Sequence, residues 1–201
     1  MKAHTKETQA QMTPDSSLQE LINGNQRFTQ KKGLERDLMQ QVEETSKGQY
    51  PHSTILSCID SRVSSELIFD QGIGDVFSAR VAGNIINEDM LGSMEYACKV
   101  AGSKIVVVMG HSKCGAVTAA CKHVELGNIT TLLDKIQPAV SAVDEEMSDA
   151  KVEKVAAVNV KLSIERVRNE SSILAELEAA GEIEIVGAMY DVTTGAVSFY
   201  E

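Results

Sequence analysis

Two short runs of the sequence carry the residue types that hold a catalytic metal ion. The first is Cys58-Ile59-Asp60-Ser61-Arg62, and the second is His111-Ser112-Lys113-Cys114-Gly115. Two cysteines and one histidine form a three-ligand set that binds zinc and leaves a fourth coordination position open for water or a substrate. The pattern therefore predicts a zinc site held by Cys58, His111 and Cys114.

Each run follows an apolar segment with the pattern of a buried strand. Residues 53–57 precede Cys58, and residues 104–110 precede His111. Ligands collect at the carboxyl ends of strands in an open parallel sheet, so we expect the two runs to meet at one sheet edge. If His111 and Cys114 lie on the first turn of a helix, their side chains project from the same face.

Several roles are open for the charged pair Asp60 and Arg62 in the first run. Asp60 and Arg62 lie two residues apart on a turn and can form a bidentate, charge-assisted hydrogen bond. Beside zinc, Asp60 either closes the site as a fourth ligand or accepts a hydrogen bond and orients a zinc-bound hydroxide while Arg62 holds it. Taken alone, the pair is more typical of a surface ion pair that caps the next helix.

The composition excludes several classes of protein. The chain has 201 residues, 43% of them hydrophobic, and a net charge of −10 that repels nucleic acid and anionic membranes. Residues 1–13 are polar and no segment is long enough to span a membrane, which predicts a cytoplasmic protein. Four cysteines are too few for a disulfide scaffold. Cys98 and Cys121 lie in helical patterns without a second candidate ligand and are interpreted as buried apolar residues.

Strand and helix patterns alternate along the chain and predict a single α/β domain. We expect a mostly parallel central sheet with helices on both faces, an antiparallel C-terminal edge strand and an N-terminal helical arm. Residues 1–13 are interpreted as a mobile tail and residues 14–201 as the domain. The arm either packs on its own domain or embraces a second subunit. Strands are predicted at 53–57, 75–83, 104–110, 182–190 and 197–200, and helices at 15–30 (capped by Asp15 or Ser16), 34–46, 64–69, 87–101, 111–124, 130–143, 150–167 and 171–180.

The two runs together, Cys-x-Asp-Ser-Arg and His-x-x-Cys-Gly, resemble the β-class carbonic anhydrases. Residues 18–28, 92–97 and 185–191 extend the resemblance over nearly the whole chain. The resemblance implies zinc-dependent, reversible hydration of carbon dioxide to bicarbonate and a proton by a zinc-bound hydroxide. It assigns the zinc ligands to Cys58, His111 and Cys114, and the catalytic pair to Asp60 and Arg62.

The resemblance also implies a substrate pocket. Gln49 matches a glutamine that hydrogen-bonds substrate or bicarbonate, Phe77 and Tyr96 match its apolar side, and the backbone N–H of Gly115 faces the site. Ala82 stands where plant-like members often have valine. Gln49 and the absence of tryptophan indicate the plant-like branch. Family members share this pocket between two subunits, which implies a homodimer as the minimal unit and allows a tetramer.

Two alternative functions remain open at this stage. A hydrolase of carbonyl sulfide or carbon disulfide can share the fold, and the pocket wall then decides the substrate. Gln49 argues mildly against that alternative. The second alternative is a non-catalytic protein that binds zinc or bicarbonate. The Asp60–Arg62 pair argues against it, because a purely structural site has no use for an activated fourth position.

Overall fold

The computed structural model describes residues 2–200, which form one five-stranded sheet with helices packed around it. Its strands are β1 Ser53–Ser57, β2 Val76–Arg80, β3 Ile105–His111, β4 Glu184–Tyr190 and β5 Val197–Tyr200. Their order across the sheet is β2-β1-β3-β4-β5, and all neighbouring pairs are parallel except the antiparallel β4–β5 pair. The predicted fold class and the antiparallel edge strand are confirmed.

Helices cover both faces of this sheet. They are α1 Lys6–Ala10, α2 Pro14–Thr29, α3 Leu38–Thr45, α4 Ser65–Ile68, α5 Glu88–Glu95, α6 Gly115–Cys121, α7 Gly127–Asp134, α8 Gln137–Ser141, α9 Asp149–Glu170 and α10 Ser172–Ala179. A π-helical turn, Tyr96–Val100, extends α5, and a 3-10 turn, Ala82–Asn84, follows β2. Across residues 2–200, none of the helices has both the length and the apolar character that crossing a membrane requires.

The strand order reverses at the centre of the sheet, and this reversal positions the site. The chain runs from β1 outward to β2 and then returns to β3 on the other side of β1. Such a reversal opens a crevice at the carboxyl ends of the two central strands. Every residue of β1 and β3 is buried, as expected for strands covered on both faces. Cys58, which follows β1, and His111, which ends β3, therefore emerge at one edge.

Two predicted helix starts are wrong because the capping residues lie elsewhere. Thr13, not Asp15 or Ser16, caps α2, and Pro14 occupies its first turn, where a missing N–H leaves no bond unmade. The helix predicted at 34–46 begins only at Leu38, because the Asp37 side chain accepts a hydrogen bond from the backbone N–H of Gln40.

The helix predicted at 130–143 is two helices, α7 and α8. Pro138 has no N–H to donate to the preceding turn, so a continuous helix cannot pass through it. Lys135 and Ile136 form a turn between the two helices. Ile136 and Leu133 are buried in the apolar cluster that surrounds Cys58 and Cys114.

The N-terminal arm, α2, packs on its own domain. Leu21 is fully buried, and Asn25 donates to the carbonyl oxygen of Ile68 (3.1 Å) and accepts from the backbone N–H of Val197 (2.9 Å). Gly24 permits this close approach, because a Cβ there would lie 1.8 Å from the carbonyl oxygen of Phe69. An additional embrace of a second subunit stays a prediction.

The segment before the arm also rests against the domain. Gln9 on α1 is buried, and its side-chain amide donates to the carbonyl oxygens of Pro51 and Ala101, both at 2.8 Å. The His4 ring lies 5.3 Å from the His52 ring, measured between centroids. Mobility of residues 1–13 stays a prediction, with Met1 outside the described residues, but the segment is docked in this structure.

Asp70 joins the arm to the loop that follows it, and we expect the Asp70→Asn variant to be less stable. Asp70 accepts from Arg27 and Arg36 at 2.5 Å each. Burial raises the pKa of Asp70, but these hydrogen bonds outweigh burial and hold the pKa below its usual value. Breaking a buried ion pair costs about 3–5 kcal/mol, and asparagine keeps part of the bonding, so we expect a loss of about 2 kcal/mol at pH 7.

The pH dependence of this loss follows from the depressed pKa. The ionised carboxyl stabilises the fold above its unfolded pKa of about 3.9, and that stability disappears as the pH falls through the lower folded value. Urea unfolding of both proteins from pH 7 to pH 2 should show the difference shrinking below about pH 4. A difference in the free energy of unfolding that does not change with pH would contradict the stabilising role of the ionised Asp70 carboxyl. Glu170→Gln, at an exposed pair with Arg166, is the matched control and should stay within about 0.5 kcal/mol.

Candidate active site

The structure brings the three predicted metal ligands together. One ligand atom from each of Cys58, His111 and Cys114 lies within 4.8 Å of the others, and all three residues are buried. Cys58 follows β1, His111 ends β3, and Cys114 immediately precedes α6. Within residues 2–200, no other group of histidine, cysteine or acidic residues has this geometry.

The predicted placement of His111 and Cys114 on one helical turn is wrong. His111 still pairs with Tyr190 in the sheet, whereas α6 begins only at Gly115. Between them Lys113 adopts a left-handed conformation with φ of 54°, which is unusual for a residue with a side chain. Glu153 on α9 accepts a hydrogen bond from the Lys113 backbone N–H at 2.7 Å and stabilises this turn.

The His111 ring is oriented for metal binding. Its Nδ1 lies 2.9 Å from the carbonyl oxygen of Ser112, an acceptor, so Nδ1 carries the proton and Nε2 a free lone pair. Nε2 is buried and has no hydrogen-bond partner among residues 2–200. A buried polar atom without a partner is unfavourable, and a metal ion would relieve that cost. The donor set and the hydrogen bond behind the histidine both fit a metal centre.

The two thiols at the site differ in acidity. The pKa of Cys58 is lowered, first by hydrogen bonding with Cys114 and also by the backbone N–H of Gly83. The neighbouring Cys58 sulfur and burial raise the pKa of Cys114. A metal ion that binds both thiolates must therefore displace the proton of Cys114.

The remaining two cysteines keep their protons. Burial raises the pKa of Cys98 to about 12, and burial also raises the pKa of Cys121. Both residues are buried and free of disulfides. Their environment fits the interpretation as small apolar residues of the core.

Asp60 and Arg62 form the predicted bidentate pair at the edge of the ligand group. Arg62 donates from Nε to Asp60 Oδ1 (2.9 Å) and from Nη2 to Oδ2 (2.8 Å), and its backbone N–H donates to Oδ1 (2.9 Å). The side-chain bonds hold the pKa of Asp60 well below its usual range. Asp60 Oδ2 lies 4.0 Å from His111 Nε2. Asp60 is thus engaged by Arg62, and its service as a fourth ligand in a closed state stays a prediction.

Sequence reasoning missed several residues that shape the first run. Arg80 donates to the carbonyl oxygens of Cys58 (3.0 Å) and Asp60 (2.7 Å). The backbone N–H of Gly83 donates to Cys58 Sγ at 3.3 Å, and Asn159 on α9 donates to the Gly83 carbonyl oxygen at 2.9 Å. A charged residue at the end of the β2 pattern was a usable signal for Arg80. No local pattern indicates Asn159.

Two of the five predicted pocket residues lie beside the ligands. Gly115 directly follows Cys114 and is the first residue of α6, where its N–H has no acceptor within the helix. Ala82 directly precedes Gly83 in the 3-10 turn and is half-buried. Both positions are therefore compatible with the pocket that the resemblance implies.

The other three pocket residues lie away from the ligands of their own chain. Phe77 and Tyr96 meet edge to face, with centroids 6.1 Å apart, and line a groove of about 750 Å³ beside the edge strand β2. Phe77 pairs with Thr54, about 13 Å along the strand from Cys58. Gln49 is exposed and lies before the amino end of β1. Within residues 2–200, the groove lining contains none of the three predicted metal ligands.

Known proteins share the sequence over most of its length. Residues 53–197 match the family described as carbonic anhydrase. The chain is 33% identical over 190 residues to carbonic anhydrase 2 of Mycobacterium tuberculosis, covering 90% of each protein. It is 31% identical over 195 residues to a carbonic anhydrase of Mycolicibacterium smegmatis, covering 92% of each.

Solved structures share the fold as well. The β-carbonic anhydrase CcaA superposes with a TM-score of 0.76 and 27% identity, over 92% of this chain and 88% of the other. A structure from a study of two tetrameric β-carbonic anhydrases of Sordaria macrospora superposes with a TM-score of 0.71 and 26% identity, over 78% of this chain and 84% of the other. Sequence and fold agree along the same residues, and this chain belongs to the β-class carbonic anhydrase family.

Proposed function

We propose that this chain catalyses the reversible hydration of carbon dioxide to bicarbonate and a proton, with zinc held by Cys58, His111 and Cys114. The unpartnered Nε2 of His111, buried beside two cysteine sulfurs, is the observation that carries the proposal. Two thiolates and one imidazole suit zinc, which is borderline-soft, and leave one coordination position open. When bound, zinc supplies Lewis acidity that lowers the pKa of water from about 15.7 to near 7.

Asp60 would orient the attacking water. Its Oδ2 atom accepts one hydrogen bond from Arg62 and keeps capacity to accept another, 4.0 Å from His111 Nε2. Arg62 holds the carboxyl ionised, so Asp60 acts as an acceptor throughout the physiological pH range. Arg62 also donates to the Lys113 carbonyl oxygen at 3.3 Å, which links the pair to the second ligand run. These contacts favour the role as hydroxide-orienting pair over that of a simple surface ion pair.

The substrate pocket would be completed by a second copy of the chain. Gln49, Phe77 and Tyr96 are distant from their own Cys58, yet Phe77 and Tyr96 line a groove on the open edge of β2. A homodimer that joins two such edges would bring one subunit's groove toward the other's ligands. The tetrameric state of the Sordaria macrospora proteins makes a larger assembly a further candidate. A monomeric mass by light scattering would contradict the shared pocket.

Stopped-flow carbon dioxide hydration tests the proposed activity. Protein stripped with a chelator should show only the uncatalysed rate, and addition of one equivalent of zinc should restore turnover at alkaline pH. Carbonyl sulfide in a parallel assay addresses the alternative substrate, and we expect its turnover to be slower. A zinc-loaded protein that does not accelerate carbon dioxide hydration would contradict the proposal.

A further inference from the structure

Helix α9 carries a buried polar residue that reaches the turn after β2. Asn159 is 4% exposed, although all the other buried residues of α9 except Ser163 are apolar. Its side-chain Nδ2 donates to the carbonyl oxygen of Gly83 at 2.9 Å, across 76 residues of sequence. A buried amide is retained where its hydrogen bonds matter, because burying it without a partner is unfavourable.

The same peptide turn contacts a predicted metal ligand from its other side. The backbone N–H of Gly83 donates to Cys58 Sγ at 3.3 Å. Gly83 has a φ of 67°, and a Cβ at this position would lie 2.6 Å from Ile136 Cδ1. The turn therefore needs glycine at this position. The Asn159 side chain holds this turn at the Gly83 carbonyl oxygen.

We propose that Asn159 is a positioning residue for the Cys58 thiolate, because it holds the Gly83 turn whose N–H donates to Cys58 Sγ. The inference rests on the proposed zinc site. A hydrogen bond to a metal-bound thiolate withdraws electron density from sulfur and fixes its direction, and the loss of such outer contacts typically weakens metal binding or activity by about 10–100-fold. Asn159 thus acts on the metal through Gly83 and Cys58, without touching the metal.

Two variants remove the amide while differing in size. Asn159→Leu keeps the number and branching of the side-chain heavy atoms but is bulkier, and Asn159→Ala provides a second test if leucine does not pack. For each we expect the zinc dissociation constant, measured by competition with a chromophoric chelator, to rise about tenfold or more. In the cobalt-substituted protein, the thiolate-to-cobalt charge-transfer band should shift to lower energy, because the sulfur becomes a stronger electron donor.

A matched control separates positioning from general stability. Val167 is fully buried on the same helix, in an apolar cluster that does not include Cys58. Val167→Ala should lower the unfolding temperature but leave zinc affinity and the cobalt band unchanged. A folded Asn159 variant with wild-type affinity and band would overturn the inference, as would equal changes in Val167→Ala. A wild-type protein with no thiolate-to-cobalt band would instead contradict the proposed metal site itself.

Discussion

Replacing Cys58 with serine is expected to leave the purified protein without stoichiometric zinc and to abolish carbon dioxide hydration. A serine hydroxyl stays protonated at neutral pH and is a poor substitute for thiolate, whereas the hydrogen bonds at Cys58 lower its pKa and favour the thiolate. Loss of a contact that orients a ligand typically lowers metal affinity or activity by about 10–100-fold, so loss of the ligand itself should lower zinc affinity by more than about 100-fold. Metal content by elemental analysis and stopped-flow hydration measure the two effects.

Cys121→Ser is the matched control for this variant. Cys121 is buried in the same apolar cluster as Cys58 and Cys114, but it is not part of the ligand group. We expect this variant to keep full zinc and full activity, with a small loss of stability. Equal zinc loss in both variants would show that packing around the cluster, and not ligation, explains the Cys58 result. A zinc-replete Cys58→Ser protein would remove Cys58 from the ligand set.

Asp60→Asn is expected to keep zinc and to lose most of its activity. Asparagine is nearly the same size, but its Nδ2 donates hydrogen bonds where Asp60 Oδ2 accepts one. The bidentate contact with Arg62 is therefore broken. A group that accepts a proton or hydrogen bond in the transition state typically contributes about 10²–10⁴-fold. We therefore expect the turnover number to fall by about 100-fold or more, with unchanged metal content.

The exposed Arg166–Glu170 pair on α9 offers a control of the same chemical type. Arg166 Nε and Glu170 Oε1 lie 2.6 Å apart, against 2.8 Å between Arg62 Nη2 and Asp60 Oδ2, and neither residue belongs to the candidate ligand group. Glu170→Gln should leave both zinc content and turnover unchanged. A fully active Asp60→Asn protein would exclude Asp60 from the reaction and return the pair to the role of a surface contact.

The helix boundaries failed for local reasons of capping and proline, but at the candidate site a long-range contact overrode a local pattern. The spacing of His111 and Cys114 is helical, but strand pairing with Tyr190 keeps His111 in β3, and the left-handed Lys113 separates it from α6. The contacts of Gln9 with the carbonyl oxygens of Pro51 and Ala101 likewise join distant parts of the chain, while the mobility of residues 1–13 stays a prediction. Neither contact leaves a periodic signal in the sequence.

The sequence by itself determined the candidate ligand types, the strands that precede them and the charged pair beside Cys58, because each is a property of a short segment. It also identified the fold class, since alternating strand and helix patterns are local. Only the tertiary structure decided that β1 and β3 are neighbours, that the Gly83 N–H donates to the Cys58 sulfur, and that Asn159 donates to the Gly83 carbonyl oxygen. These contacts join residues far apart in the chain, and the packing of the whole domain selects them.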